Sequence, residues 1–189
     1  YLGKGPEPNA SSTVILEGAK INANAINSGD GGRVIVWSDD YTNFAGSITA
    51  KGSLTGSGGF VETSSKNNLQ AFGLVDASGG VNEGTYLLDP ANVTIVSGSS
   101  DTSIDGSQLF TPSASGAQIS VGTIVSTLAN SNVYVMTSNG DVNEAGTITL
   151  NSAISATNSA SRSLYLFASE DIDLNADITA TSGKLNVQL

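Results

Sequence analysis

The chain has 189 residues, 39% of them hydrophobic but only 6% aromatic, with 22 Gly, no Cys and no His. Seven Lys plus Arg against 17 Asp plus Glu leave a formal charge of −10, which argues against nucleic acid and anionic lipid as partners, since both need their phosphates neutralised. Disulfides, thiolate chemistry and transition-metal ligation by His or Cys are excluded, and no run approaches the ~20 apolar residues of a membrane span, so no membrane insertion is expected.

In chain order, Tyr1-Leu2-Gly3-Lys4 opens no signal peptide, and the chain is expected to be a segment of a longer protein. Asn9-Ala10-Ser11 and, further on, Asn92-Val93-Thr94 fit the N-glycosylation pattern, making Asn9 and Asn92 candidate acceptors. The tetrapeptide Ile/Val, polar, Ala, polar then returns five times, at Ile21-Asn22-Ala23-Asn24, Ile48-Thr49-Ala50-Lys51, Val75-Asp76-Ala77-Ser78, Ile154-Ser155-Ala156-Thr157 and Ile178-Thr179-Ala180-Thr181. The steps are 27, 27, 79 and 24, and 79 is about three steps of the same size. A strand unit at such a period marks a solenoid, in which each coil needs neighbours to bury its apolar face.

Gly31-Gly32 before Arg33-Val34-Ile35-Val36-Trp37 and Gly58-Gly59 before Phe60-Val61-Glu62-Thr63 repeat at the same step of 27, and Ile148 to Ala156 maps onto Ile172 to Ala180 at a constant 24. Within the repeats apolar residues alternate with polar ones, as in Leu185/Val187/Leu189 against Asn186 and Gln188, so the runs are strands. Gly, Ser, Asn and Asp clusters between them supply corners. Gly29-Asp30-Gly31-Gly32 is such a corner and not a phosphate loop, since no helix N-terminus or Lys-Ser/Thr follows. The fold class is therefore all-β, a parallel β-helix with an interior column of Ile, Val, Leu and Ala, expected to be right-handed because connections between parallel strands nearly always are. Outward Asn, Thr and Ser are expected to hydrogen-bond one coil away.

The pattern divides the chain into coils of an about 27-residue repeat over 1–96, an excursion over 97–131 and coils of an about 24-residue repeat over 132–189. In the excursion, Val121, Ile124, Val125 and Leu128 fall at helical spacing behind a Ser120 N-cap and predict one short helix over 120–130. Its stripe is expected to pack on the outward face of neighbouring coils, over Tyr134/Met136 and Tyr165/Phe167. Asp101-Thr102-Ser103-Ile104-Asp105-Gly106 gives a weak calcium candidate in Asp101 and Asp105, but it lacks the alternating ligands of an EF-hand, and turn chemistry explains it more simply.

Parallel β-helices include pectin-degrading enzymes, and inverting hydrolysis wants two carboxyls about 6.5–9.5 Å apart. Asp39-Asp40 and Glu170-Asp171-Asp173 supply carboxylates, but adjacent residues on a strand face opposite ways, and only Arg33 and Arg162 are available among arginines to grip an acidic polysaccharide. No catalytic residue and no cofactor is expected. Were the segment to recognise a sugar, the outward aromatics Trp37, Tyr134, Tyr165 and Phe167 would form its platform; the simpler reading makes them packing anchors.

Gly31-Gly32-Arg33-Val34-Ile35-Val36-Trp37-Ser38, Phe44-Ala45-Gly46-Ser47-Ile48-Thr49-Ala50, Gly58-Gly59-Phe60-Val61-Glu62-Thr63-Ser64 and Tyr86-Leu87-Leu88-Asp89-Pro90 with Val93-Thr94-Ile95 together resemble the filamentous-haemagglutinin-like exoproteins of two-partner secretion, and within them the high-molecular-weight adhesins. The match covers roughly residues 31–96. The resemblance implies a secreted adhesin on the bacterial cell surface, exported by an outer-membrane two-partner-secretion transporter, with a host receptor or glycan as its further partner. The family's Asn-Pro-x-Gly secretion motif has no counterpart here, since no Asn-Pro occurs, which implies an internal or C-terminal segment. The expected function is a non-enzymatic shaft and host-contact surface. The alternatives are a glycan-binding module and a polysaccharide-degrading β-helix enzyme.

Overall fold

In the computed structural model, residues 3–98, 116–137 and 146–189 are described. The first three coils each contain three short strands: β1 (Ser12–Ile15), β2 (Lys20–Asn22) and β3 (Arg33–Ser38); β4 (Tyr41–Phe44), β5 (Ser47–Thr49) and β6 (Phe60–Ser65); β7 (Asn68–Ala71), β8 (Leu74–Asp76) and β9 (Thr85–Leu88). Next come β10 (Val93–Val96), β11 (Gln118–Ser120), helix α1 (Val121–Leu128) and β12 (Asn132–Met136). Two more coils follow, β13 (Ile148–Leu150), β14 (Ile154–Thr157) and β15 (Arg162–Phe167), then β16 (Ile172–Leu174), β17 (Ile178–Ser182) and β18 (Leu185–Gln188). The strands stack into three walls, and every described pairing between them is parallel. The molecule is a parallel β-helix, with six strands in the wall from β3 to β18.

The repeat seen in the sequence is the register of the walls. Ile21 pairs with Ile48 and Ile48 with Val75, placing the tetrapeptides above one another, and Ile154 pairs likewise with Ile178. A β-bulge after Ala156 then sets Thr157 against Ser182. The inward residues form one continuous core in which Phe44, Ile48, Val61, Leu150 and Leu164 are fully buried. Outward polar residues bond between coils as expected: Asn175 Nδ2 donates to Asn151 Oδ1 at 3.0 Å, and Lys51 Nζ meets Asp76 Oδ2 at 2.6 Å.

The two repeated signatures, Ala and Gly-Gly, meet at one corner. The N–H of Gly32, Gly59 and Gly84 donates to the carbonyl of Ala23, Ala50 and Ala77 at 2.7, 2.8 and 2.8 Å, closing each loop at its base. A Cβ on Gly58 would lie 1.8 Å from the Ala77 carbonyl oxygen, so close approach of backbones imposes glycine there. In the later coils Asn158 takes over the corner, its side-chain amide donating to the carbonyls of Ala160 and Lys184 at 3.1 and 3.0 Å. That shorter corner accompanies the shorter repeat.

The helix forms where the sequence places it, with the Ser120 hydroxyl accepting from the Gly122 N–H at 3.0 Å. Its seat differs from the expectation. Instead of lying on the outside of the coils, α1 occupies the wall itself, between β8 and β14. Its buried face is Thr123, Ile124, Thr127 and Leu128, while Val121 and Val125 are half-buried. The hydroxyls answer the strand edge: Thr123 Oγ1 donates to the Gly73 carbonyl at 2.9 Å, and the Ala77 N–H donates to Ser131 Oγ at 2.8 Å. The step of 79 therefore holds one intermediate level in this wall, not two.

A helix about 10 Å wide takes the height of two strands spaced about 4.8 Å apart. At this level the wall beginning with β1 holds two strands, its order running β7, β11, β10, β13, so that β11 is threaded beneath the earlier β10, whereas the wall from β3 to β18 holds only β12 between β9 and β15. Residues 116–131 thus belong to the stack, a departure from the excursion expected over 97–131.

Candidate contact surface

Along the wall from β3 to β18 the alternation places Arg33, Ile35 and Trp37 outward on β3, and Tyr134 and Met136 outward on β12, with Tyr165 and Phe167 outward on β15. Three of the four candidate aromatics come together. Tyr134 pairs with Tyr165, their rings stacked at 4.1 Å between centroids and 16° between planes, and Phe167 lies 5.7 Å from Tyr165 at 46°. Burial, then the hydrogen bond and proximity of the Tyr165 phenol, push the Tyr134 hydroxyl up from its ordinary value. Trp37 stands three strands away on β3, its indole N–H 3.4 Å from Asp39 Oδ1. A Cβ on Gly3 would meet the Trp37 ring at 2.5 Å, so the N-terminal segment lies directly on it.

This geometry limits what the patch can do. A sugar ring packs on an aromatic face, but stacked neighbours along the rod spend their faces on one another and turn edges outward. The helix does not cover these rings, since it lies in a different wall. Between Trp37 and the Tyr134/Tyr165 pair, the outward residues Glu62, Ser64, Leu87 and Asp89 are all buried, and Ser64 Oγ accepts from the Asp89 N–H at 3.1 Å. Sequence alternation marks these as outward positions without revealing that they are covered. Beside them Arg33 lies over the Phe60 ring at 4.9 Å.

The remaining candidates are scattered. Asp39 Oδ1 accepts from Asn9 Nδ2 at 2.9 Å, and Asp40 Oδ2 from Ser11 Oγ at 2.7 Å, so both carboxylates tie the first coil to the segment before it. Asp173 lies outward in the last coil, paired with Thr149. Arg162 points inward from β15, 3.1 Å from Glu83, and donates through Nη2 to the Ala129 carbonyl at 3.4 Å. There it complements the C-terminal end of α1, a structural use that alternation alone did not suggest. Asn9 is exposed, whereas Asn92 is half-buried with its Oδ1 accepting from the Thr147 N–H at 2.6 Å. Asp101 and Asp105 lie outside the described residues.

A groove of about 530 Å³ crosses the corner between the first two walls, lined by Glu17, Phe72, Leu74 and Ser120 among others. Among the described residues no helix is long and apolar enough to cross a membrane. No protein-family model matches the chain, and no curated protein is significantly similar to it.

Proposed function

We propose that the chain is a non-enzymatic shaft segment of a secreted bacterial surface adhesin of the filamentous-haemagglutinin-like, two-partner-secretion kind. The observation that carries this reading is the coincidence of sequence blocks and register. The blocks on which the resemblance rests, Arg33 to Ser38 and Phe60 to Ser65, pair residue for residue, and Tyr86 continues the Val34–Val61 column. A repeat that specifies only its own stacking suits a spacer, whose output is length. Stacked rather than open aromatic faces favour the same role.

The second reading, a glycan-binding surface, draws on Tyr134, Tyr165, Met136 and Phe167, which remain partly accessible. One experiment addresses both. The chain is fused behind a two-partner secretion domain, expressed with the matching outer-membrane transporter, and assayed for surface display and for binding to host cells and arrayed glycans. A displayed, protease-resistant chain without binding supports the shaft. Binding lost in Phe167→Ala at unchanged melting temperature supports the glycan surface, and failure of export overturns the secretion reading.

A further inference from the structure

The stacked tyrosines on the outer wall bring two oxidisable phenols together. Tyr134 and Tyr165 stand opposite each other in parallel register on β12 and β15, with ring centroids 4.1 Å apart and planes 16° from parallel. In-register parallel pairing sets like atoms over like, so the ring carbons beside each hydroxyl face their counterparts across one coil spacing. The two phenols also share a hydrogen bond. Both residues are only half-buried, which leaves the rings room to swing toward each other and an oxidant a way in. The other described tyrosines are closed off: Tyr41 and Tyr86 are 2% and 0% exposed, Tyr86 Oη bonds to Thr63 Oγ1 at 2.6 Å, and neither pairs with another tyrosine.

We propose that Tyr134 and Tyr165 are a modification site, joined by an intrachain dityrosine cross-link when the protein meets a one-electron oxidant such as a peroxidase-activated peroxide. Each phenol gives one electron to the oxidant and one proton to water, leaving two phenoxyl radicals whose spin is shared onto the carbons beside the oxygen. These carbons, one Cε from each ring, join in a new C–C bond; the hydrogen on each then moves to its own ring's oxygen and aromaticity returns. The net loss is two hydrogen atoms, as two electrons to two oxidant equivalents and two protons to solvent. Phe167, 5.7 Å from Tyr165, has no phenol to couple, and Met136 opposite it takes up oxygen instead. The consequence is mechanical. A coil in a solenoid is held only by its neighbours, and a covalent rung from β12 to β15 ties two successive levels together while restricting the unfolded chain between them.

Photo-oxidation of the dilute 189-residue chain with tris-bipyridyl ruthenium and persulfate, read by intact mass, dityrosine fluorescence and peptide mapping, tests this. The expected product is a single chain lighter by two hydrogen atoms, with a yield independent of protein concentration and a bond mapped between Tyr134 and Tyr165. Tyr134→Phe and Tyr165→Phe, each with an unchanged circular-dichroism spectrum, should lower that yield at least several-fold, whereas Tyr1→Phe should leave it unchanged. The oxidised wild type should melt at a higher temperature than the untreated chain, and oxidised Tyr134→Phe should not. Cross-links found only between chains, a link mapped to other tyrosines, oxygen gain at Met136 without hydrogen loss, or equal yields in wild type and the two Phe variants would each overturn the proposal, and an unchanged melting temperature would overturn the stabilising role.

Discussion

The wall that contains the tetrapeptides is built in two ways, from strands at Ile48 and Val75 and from a helix at Ile124 and Leu128. A strand level depends on its neighbours for backbone hydrogen bonds, so its sequence is free to repeat: Ile48 points inward, Thr49 outward, and the ladder does the rest. A helix satisfies its own backbone and offers nothing to the strand edges on either side. Side chains must then supply what the ladder would have supplied, which is why Thr123 and Ser131 bond to Gly73 and Ala77. Across the core the same level is built unequally, from β11 and β10 in the wall beginning with β1 and from β12 alone in the wall beginning with β3.

The largest effect should come from breaking a strand level. Ile48→Lys buries an unpaired charge in the column and should lower stability by about 4 kcal/mol or more, whereas Thr49→Lys, on the outward face, should cost under about 1 kcal/mol. Urea melts of the two variants measure the contrast, and equal tolerance would refute the register. At the helix level, Leu128→Ala empties a fully buried site and should cost about 3 kcal/mol. Val125→Ala should cost clearly less, and the reverse order in thermal melts would mean that the helix presents Val121 and Val125 to the core.

Smaller changes sharpen the comparison. Thr123→Val keeps the shape of the side chain but removes the donor to the Gly73 carbonyl, and should cost about 1 kcal/mol. The same change at outward Thr49, which lies on a strand already held by the ladder, should be close to neutral in the same assay. The smallest effect concerns the Lys51–Asp76 pair. Burial raises the Asp76 carboxyl, but hydrogen bonds from Lys51 and Ser78 and the Lys51 charge outweigh it and hold the group below its ordinary 3.8. Because the folded value is depressed, the pair's contribution is present above the ordinary value and is lost as pH falls through the folded one. Both partners are partly exposed, so it should amount to under about 1 kcal/mol. Denaturation midpoints measured between neutral pH and acid should converge for wild type and Asp76→Asn as the carboxyl protonates.

The strand columns were legible because the period is carried by the chemistry of single positions. An Ile at 21, 48, 154 or 178 is buried only if a neighbour stacks on it, so the spacing in sequence becomes the pairing in space. The helix, its Ser120 cap and two of its buried residues were legible for the same local reason. The aromatic candidates were correctly placed outward by alternation on β12 and β15, but that the Tyr134 and Tyr165 faces close on each other depends on which strands become neighbours.

What the sequence determined by itself is whatever repeats or stays local: the parallel register of the coils, the Gly-Gly corners and the existence of α1. What only the tertiary structure decided is where a non-repeating element sits. Nothing in residues 97–131 specifies that α1 replaces a strand in the wall, that β11 slips beneath β10, or that Arg162 reaches back to Ala129 and Glu83. The seat of the helix depends on satisfying the strand edges beside it, as Thr123 does at Gly73 and Ser131 at Ala77, a condition set jointly by residues dozens of positions apart.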